Sequence, residues 1–134
     1  MASAGFQVAR DEALWANQET TAGVVEWTDK VTTFTGAFED NGISLFLVLT
    51  YGNSLYGGGA PLTETAMDAY ANFATEAVDR FGTDGTVYEV WNEWNIGAGG
   101  VSVDDRTAAS YVELLSTTYA SVKAENPDAV IAGP

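Results

Sequence analysis

The chain has 134 residues, the length of one ordinary domain, and 46% of them are hydrophobic, enough to bury a core. Nineteen acidic against five basic residues leave a formal charge of -14, a surface that repels phosphate backbones and anionic bilayers and so excludes nucleic acid and membrane as partners. Cys and His are both absent, which removes disulfides, thiol nucleophiles, the usual zinc ligands and His-based triads; no metal and no cofactor are expected.

No basic stretch followed by an apolar one comes after Met1, so no signal peptide is expected. The first predicted strand is short, Phe6 to Arg10. Glu26 to Asn41 reads as a helix, with Trp27, Val31, Phe34 and Phe38 on one face and Asn41-Gly42 as its stop. Ile43 to Thr50 is a nearly continuous apolar run, typical of a strand buried on both faces and far too short to span a bilayer. Tyr51 to Pro61 is a loop in which Gly57-Gly58-Gly59 should let a cleft wall move.

Thr63 caps a second helix whose inward stripe is Met67, Tyr70, Phe73, Ala77 and Phe81. A turn through Gly82, Asp84 and Gly85 leads to a strand from Thr86 to Asn92. After the Gly-rich segment Ile96 to Val103, Asp104 or Asp105 is placed to cap a third helix, with Tyr111, Leu114, Leu115, Tyr119 and Val122 as its stripe. Asn126-Pro127-Asp128 ends it, and Ala129 to Ala132 opens a fourth strand. Alternation of this kind predicts βαβ units and a parallel sheet. The connections after strands are long and those after helices short, which puts function at the carboxyl ends of the strands.

There the chain carries Tyr88-Glu89-Val90-Trp91-Asn92-Glu93-Trp94-Asn95, a strand running into carboxylate, carboxamide and indole side chains. An acid, a hydroxyl reader and aromatic platforms are the chemistry of a sugar-cleaving site. Period two places Glu89, Trp91 and Glu93 on one face and Val90 and Asn92 on the other, so Trp91 reads as packing and Trp94, past the strand, as the better binding candidate. Arg10 and Glu89 are charges within strands of a chain poor in bases, and pairing is expected if they are buried.

These residues resemble the clan of retaining (β/α)8-barrel glycoside hydrolases, closest to the family 39 β-xylosidase and endoglycosidase-like group. Val8-Ala9-Arg10, Leu14-Trp15 and Gln18-Glu19 resemble the second barrel strand and its loop. Asn41-Gly42-Ile43 and Leu47 to Asn53 resemble the third strand, and Tyr88 to Asn95 the fourth. Ala124 to Asp128 with Val130 to Pro134 resembles the lead into the fifth. The resemblance implies an α/β fold, a partial (β/α)8 barrel over residues 1–134 with four parallel strands and three helices.

It further implies that Glu93 is the general acid/base and that Asn92 bonds the sugar 2-hydroxyl. Tyr51, Asn53, Trp94 and Trp15 are implied sugar contacts, with Arg10 and Glu89 supporting the site from inside the barrel. The clan usually has Pro after the catalytic Glu; Trp94 stands there. A complete barrel takes about 250 residues, and the clan's nucleophile belongs to the seventh strand. Retaining chemistry needs two carboxyl groups about 5–5.5 Å apart, so the chain alone is not expected to turn over substrate. A carbohydrate is the expected ligand, and a second copy or the missing half-barrel the expected protein partner. A noncatalytic carbohydrate-binding or self-associating half-barrel is the alternative function. A flavodoxin-like domain is the alternative fold, disfavoured because no phosphate loop occurs at a strand-helix junction.

Overall fold

The computed structural model describes residues 4–82 and 84–133. Pro134, the last residue of the stretch that resembles the lead into a fifth strand, lies outside the described residues, as does Met1. Among the described residues, four strands form one sheet in the order β1 (Val8–Leu14), β2 (Ser44–Thr50), β3 (Val87–Val90) and β4 (Val130–Ala132), every neighbouring pair parallel. A single helical turn, α1 (Trp15–Gln18), follows β1, and three long helices, α2 (Asp29–Asp40), α3 (Glu64–Phe81) and α4 (Ala108–Glu125), make the crossovers.

The run of apolar residues in β2 sets the register. Val48 lies between Glu12 of β1 and Glu89 of β3, and Thr50 pairs with Leu14. Alternation then sorts the sheet into two faces. Leu45, Leu47 and Leu49 are buried with Val31, Phe73 and Val78 of the helices in the main core. Arg10, Phe46 and Glu89 share the other face, with the Arg10 guanidinium 6.0 Å from the Phe46 ring.

That inner face is only partly covered. Val8 is 55% and Val130 51% exposed, against 0% for Leu47 on the helix side. A parallel sheet normally has both faces covered; on this side the edge-strand positions stay open, while Val48, Thr50 and Glu89 at the centre are buried.

Several boundaries differ from those expected. β1 begins and ends later than Phe6 to Arg10, because pairing along β2 carries Asp11 and Glu12 into the ladder despite their charge. Trp27 precedes α2, stacks on Phe73 and meets Phe81 edge-on, instead of belonging to the helical stripe. Thr63 caps α3 as expected, its side chain accepting from the Ala66 N–H. The cap of α4 is Thr107, which accepts from Ser110 N, while Asp104 and Asp105 form a separate turn before it. Tyr119, placed in the inward stripe, is 50% exposed; buried Thr118 takes that side of the helix.

Replacing Val8 and Val130 by Thr is expected to change the unfolding free energy by no more than about 0.5 kcal/mol, whereas Leu47→Ala costs about 2–5 kcal/mol. Urea titration measures both. A large loss for the valine pair would mean that their face is covered in solution.

Candidate active site

β3 and its neighbours end in a constellation built around one guanidinium. Arg10 Nε and Nη2 each donate to a carboxylate oxygen of Glu89 at 3.0 Å, a two-pronged pair. Glu89 is nearly buried (6% of its side chain exposed) while Arg10 keeps 51%, so the cation caps the anion from the open side. The carboxylate raises the Arg10 pKa above its ordinary value, chiefly through that hydrogen bond.

Arg10 Nη2 also donates to Asn92 Oδ1 at 2.8 Å, and Asn92 Nδ2 donates to the Tyr51 hydroxyl at 2.9 Å. A guanidinium can only donate, so the amide must turn its oxygen toward it. One amide hydrogen of Asn92 and the Tyr51 hydroxyl hydrogen are left for other partners.

The strand does not run to Asn92 as expected. Trp91 (φ 67) and Glu93 (φ 53) are both left-handed, and they are the non-glycine residues with positive φ among those described. Each such residue costs about 1–2 kcal/mol. The break overturns the period-two assignment: Asn92 joins Glu89 beside Arg10, and Trp91 leaves that face. Trp91 is fully buried, with its indole N–H on Ala98 O at 3.0 Å. Gly99 permits this, since a Cβ there would stand 2.4 Å from the Tyr51 ring and 2.7 Å from that of Trp91.

Glu93 sits just past the end of β3, exposed, and its side chain makes no hydrogen bond among the described residues. Recesses of about 630 Å³ between α2 and α3 at the amino ends of the strands, and about 530 Å³ in the α3–α4 groove, do not include it. A barrel cleft is walled by loops from all eight strands; four strands provide only part of that wall.

Three of the expected sugar contacts are placed elsewhere. Trp15 (1% exposed) stacks on Tyr56 at 5.1 Å and Phe73 at 6.2 Å, and its indole donates to Glu19. Asn53 (2%) accepts from Leu55 N and donates to Glu19 O, capping the turn Ser54–Tyr56. Trp94 (3%) packs on Trp91 and Tyr111, its indole on Asp105 O at 3.0 Å. None offers an open ring face or a free amide to a ligand; burial has turned each into a brace.

Glu19 was not singled out by its residue type, yet it organises the mouth. Its buried carboxylate accepts from Trp15, Gly23 N and Tyr56, tying the loop after β1 to the loop after β2. That second loop is therefore tied to the first at Tyr56, next to the Gly57-Gly58-Gly59 run. Gly52 also presses on it, with a Cβ there falling 2.1 Å from Gly59 O. Nor does its residue type mark Glu12: its strand position puts it on the inner face near Arg10, where it accepts from Thr50 Oγ1 at 3.3 Å. Its alternation with Arg10 was the available signal.

No protein-family model and no curated protein matches the chain. Solved structures do match. A family 39 glycoside hydrolase from the gut symbiont Bacteroides cellulosilyticus WH2 aligns over 98% of this chain and 26% of its own, with TM-score 0.81 and 27% identity. The fold is a segment of a glycoside hydrolase type (β/α)8 barrel. ZgEngAGH5_4 aligns over 97% of this chain and 43% of its own (TM-score 0.72, 17% identity). A GH5-4 broad specificity endoglucanase from Clostridium acetobutylicum aligns over 98% and 44% (TM-score 0.63, 15% identity). The chain thus spans between about a quarter and under half of these proteins, and the resemblance read in its sequence agrees with them.

Tyr56→Phe removes one donor from the buried Glu19 carboxylate and is expected to cost about 1.5–3 kcal/mol in urea unfolding; a cost below about 0.5 kcal/mol would sink the bracing role of Glu19. High pH provides a second check. Burial raises the phenols of Tyr70, Tyr88 and Tyr111 above their ordinary value. The unfolded chain releases these protons from about pH 10 while the folded barrel segment retains them, so stability present below that pH is lost above it. Tyr70 alone, fully buried, contributes a slope of up to about 1.4 kcal/mol per pH unit; denaturant midpoints that stay level through this range would contradict it.

Proposed function

We propose that the chain carries the acid/base half of a retaining glycoside hydrolase site acting on a β-linked oligo- or polysaccharide. The observation that supports this best is Asn92 held by Arg10 and Tyr51 beside an exposed Glu93 at the carboxyl end of a barrel-type strand. In this reading Glu93 protonates the departing glycosidic oxygen and then takes a proton from the incoming water. The remaining amide hydrogen of Asn92 donates to the sugar 2-hydroxyl, a bond that strengthens as the ring gains oxocarbenium character. Tyr51 holds the amide and lends its free hydroxyl hydrogen to the same edge.

The second carboxyl group comes from elsewhere in a full barrel, whose further strands also cover the inner face that exposes Val8 and Val130. That same exposure favours a second reading, a noncatalytic half-barrel whose open face pairs with another copy. Sedentary monomers in analytical ultracentrifugation would remove that second reading.

The catalytic reading is tested by grafting residues 4–133 in place of the matching segment of the family 39 enzyme and comparing aryl β-glycosides. Proton donation matters most when the leaving group is a poor one. Glu93→Gln is expected to lower kcat/KM by about 10²–10⁴-fold for weakly acidic phenols and far less for strongly acidic ones. Equal losses across the series would refute Glu93 as the acid.

A further inference from the structure

Trp91 leaves the strand ladder one residue before the Asn92–Glu93 pair. The paired register of β2 and β3 ends at Leu49 and Val90. At its last rung, Trp91 N to Leu49 O, a side chain from the helix layer joins the ladder. Tyr70 of α3, fully buried, donates its hydroxyl to Leu49 O at 2.6 Å and accepts from Trp91 N at 3.0 Å. The same Trp91 N–H lies 3.2 Å from Leu49 O, so it is shared between a phenol and the carbonyl that a regular ladder would use alone. Tyr111 of α4 donates to Val90 O at 3.0 Å, which holds the preceding residue from the same side.

We infer that Tyr70 is a positioning residue for the Asn92–Glu93 pair: its hydroxyl, bonded to both Leu49 O and Trp91 N beside their direct bond, shares the last rung of the β2–β3 ladder and holds Trp91 left-handed. The consequence for Asn92 follows from alternation. Were Trp91 extended, it would share the inner face with Glu89, and Asn92 would point to the helices. With Trp91 left-handed, Asn92 instead meets Arg10 and Tyr51. Tyr70 touches neither Asn92 nor Glu93 by hydrogen bond; it acts through the backbone of Trp91. The catalytic meaning of this device rests on the proposed role of Glu93, while the device itself does not.

The test is Tyr70→Phe, with Tyr88→Phe as its control. Tyr88 is also buried, but its hydroxyl bonds Gly82 O at 2.6 Å, at the other end of the sheet. Crystal structures of both variants of the chain are expected to show Trp91 extended and Asn92 released from Arg10 in Tyr70→Phe, with both features kept in Tyr88→Phe. A left-handed Trp91 with its Asn92–Arg10 bond intact in Tyr70→Phe overturns the inference. So does loss of the geometry in both variants, which would mean general loosening of the fold.

In the grafted barrel, Tyr70→Phe is expected to lower kcat by about 10²-fold, the scale of a 1 Å misplacement, with KM within about twofold. Unchanged kcat there overturns it also for a variant that does not crystallise. If Glu93→Gln shows no leaving-group dependence while Tyr70→Phe still displaces Asn92, the catalytic reading fails and the positioning stands.

Discussion

In a chain with five basic residues and a net charge of -14, the destination of each guanidinium matters to its neighbours. Arg10 is turned by alternation onto the inner face of the sheet, where Glu12 and Glu89 also stand. Without it the nearly buried Glu89 would keep an unpaired charge, a far greater cost than an exposed one. With it, Glu89 is neutralised by two parallel hydrogen bonds, and a third N–H is spent on Asn92. That third bond fixes which end of the amide faces the mouth, and the amide in turn fixes Tyr51. A charge-balance requirement thus sets the orientation of a neutral hydrogen-bonding edge.

The aromatic residues serve a different purpose from the one their composition suggests. Trp15, Tyr70, Trp91, Trp94 and Tyr111 form a chain of ring contacts beneath the mouth. Each indole N–H in this chain finds an acceptor in a loop: Glu19, Ala98 O or Asp105 O. Buried indoles need such partners, and here the need fastens three loop segments to the core. The rings make the floor on which the polar edge rests. Tyr51, half-buried and in edge contact with Trp91, is the aromatic that joins floor and edge.

Much of the sheet was legible because its signal is local. The apolar run of β2 and the stripe of α3 follow from period and capping, and both stand within a residue or two of where they were expected. The Arg10–Glu89 pair was legible from the scarcity of bases. What was not legible depends on contacts far apart in sequence. Asp11 and Glu12 look like loop residues until β2 pairs with them. Trp15, Asn53 and Trp94 have the chemistry of sugar contacts, and only packing shows that no surface of theirs is free. Nothing in the residues Trp91 and Glu93 announces a left-handed backbone, which side chains other than Gly rarely adopt.

Those two left-handed residues tie the helix layer to the open face. At about 1–2 kcal/mol each, they persist only where surrounding bonds hold them, and the bonds come from behind the sheet: the hydroxyls of Tyr70 and Tyr111, and the indoles of Trp91 and Trp94. On the inner side, Asn92 is held by Arg10 and Tyr51. The turn at the end of β3 is therefore clamped from both faces, and its geometry does not need contacts from the uncovered side. A covering layer would add walls to an edge whose polar groups are already held. This is how a segment with half a barrel's strands can hold the polar edge at the end of β3 in order.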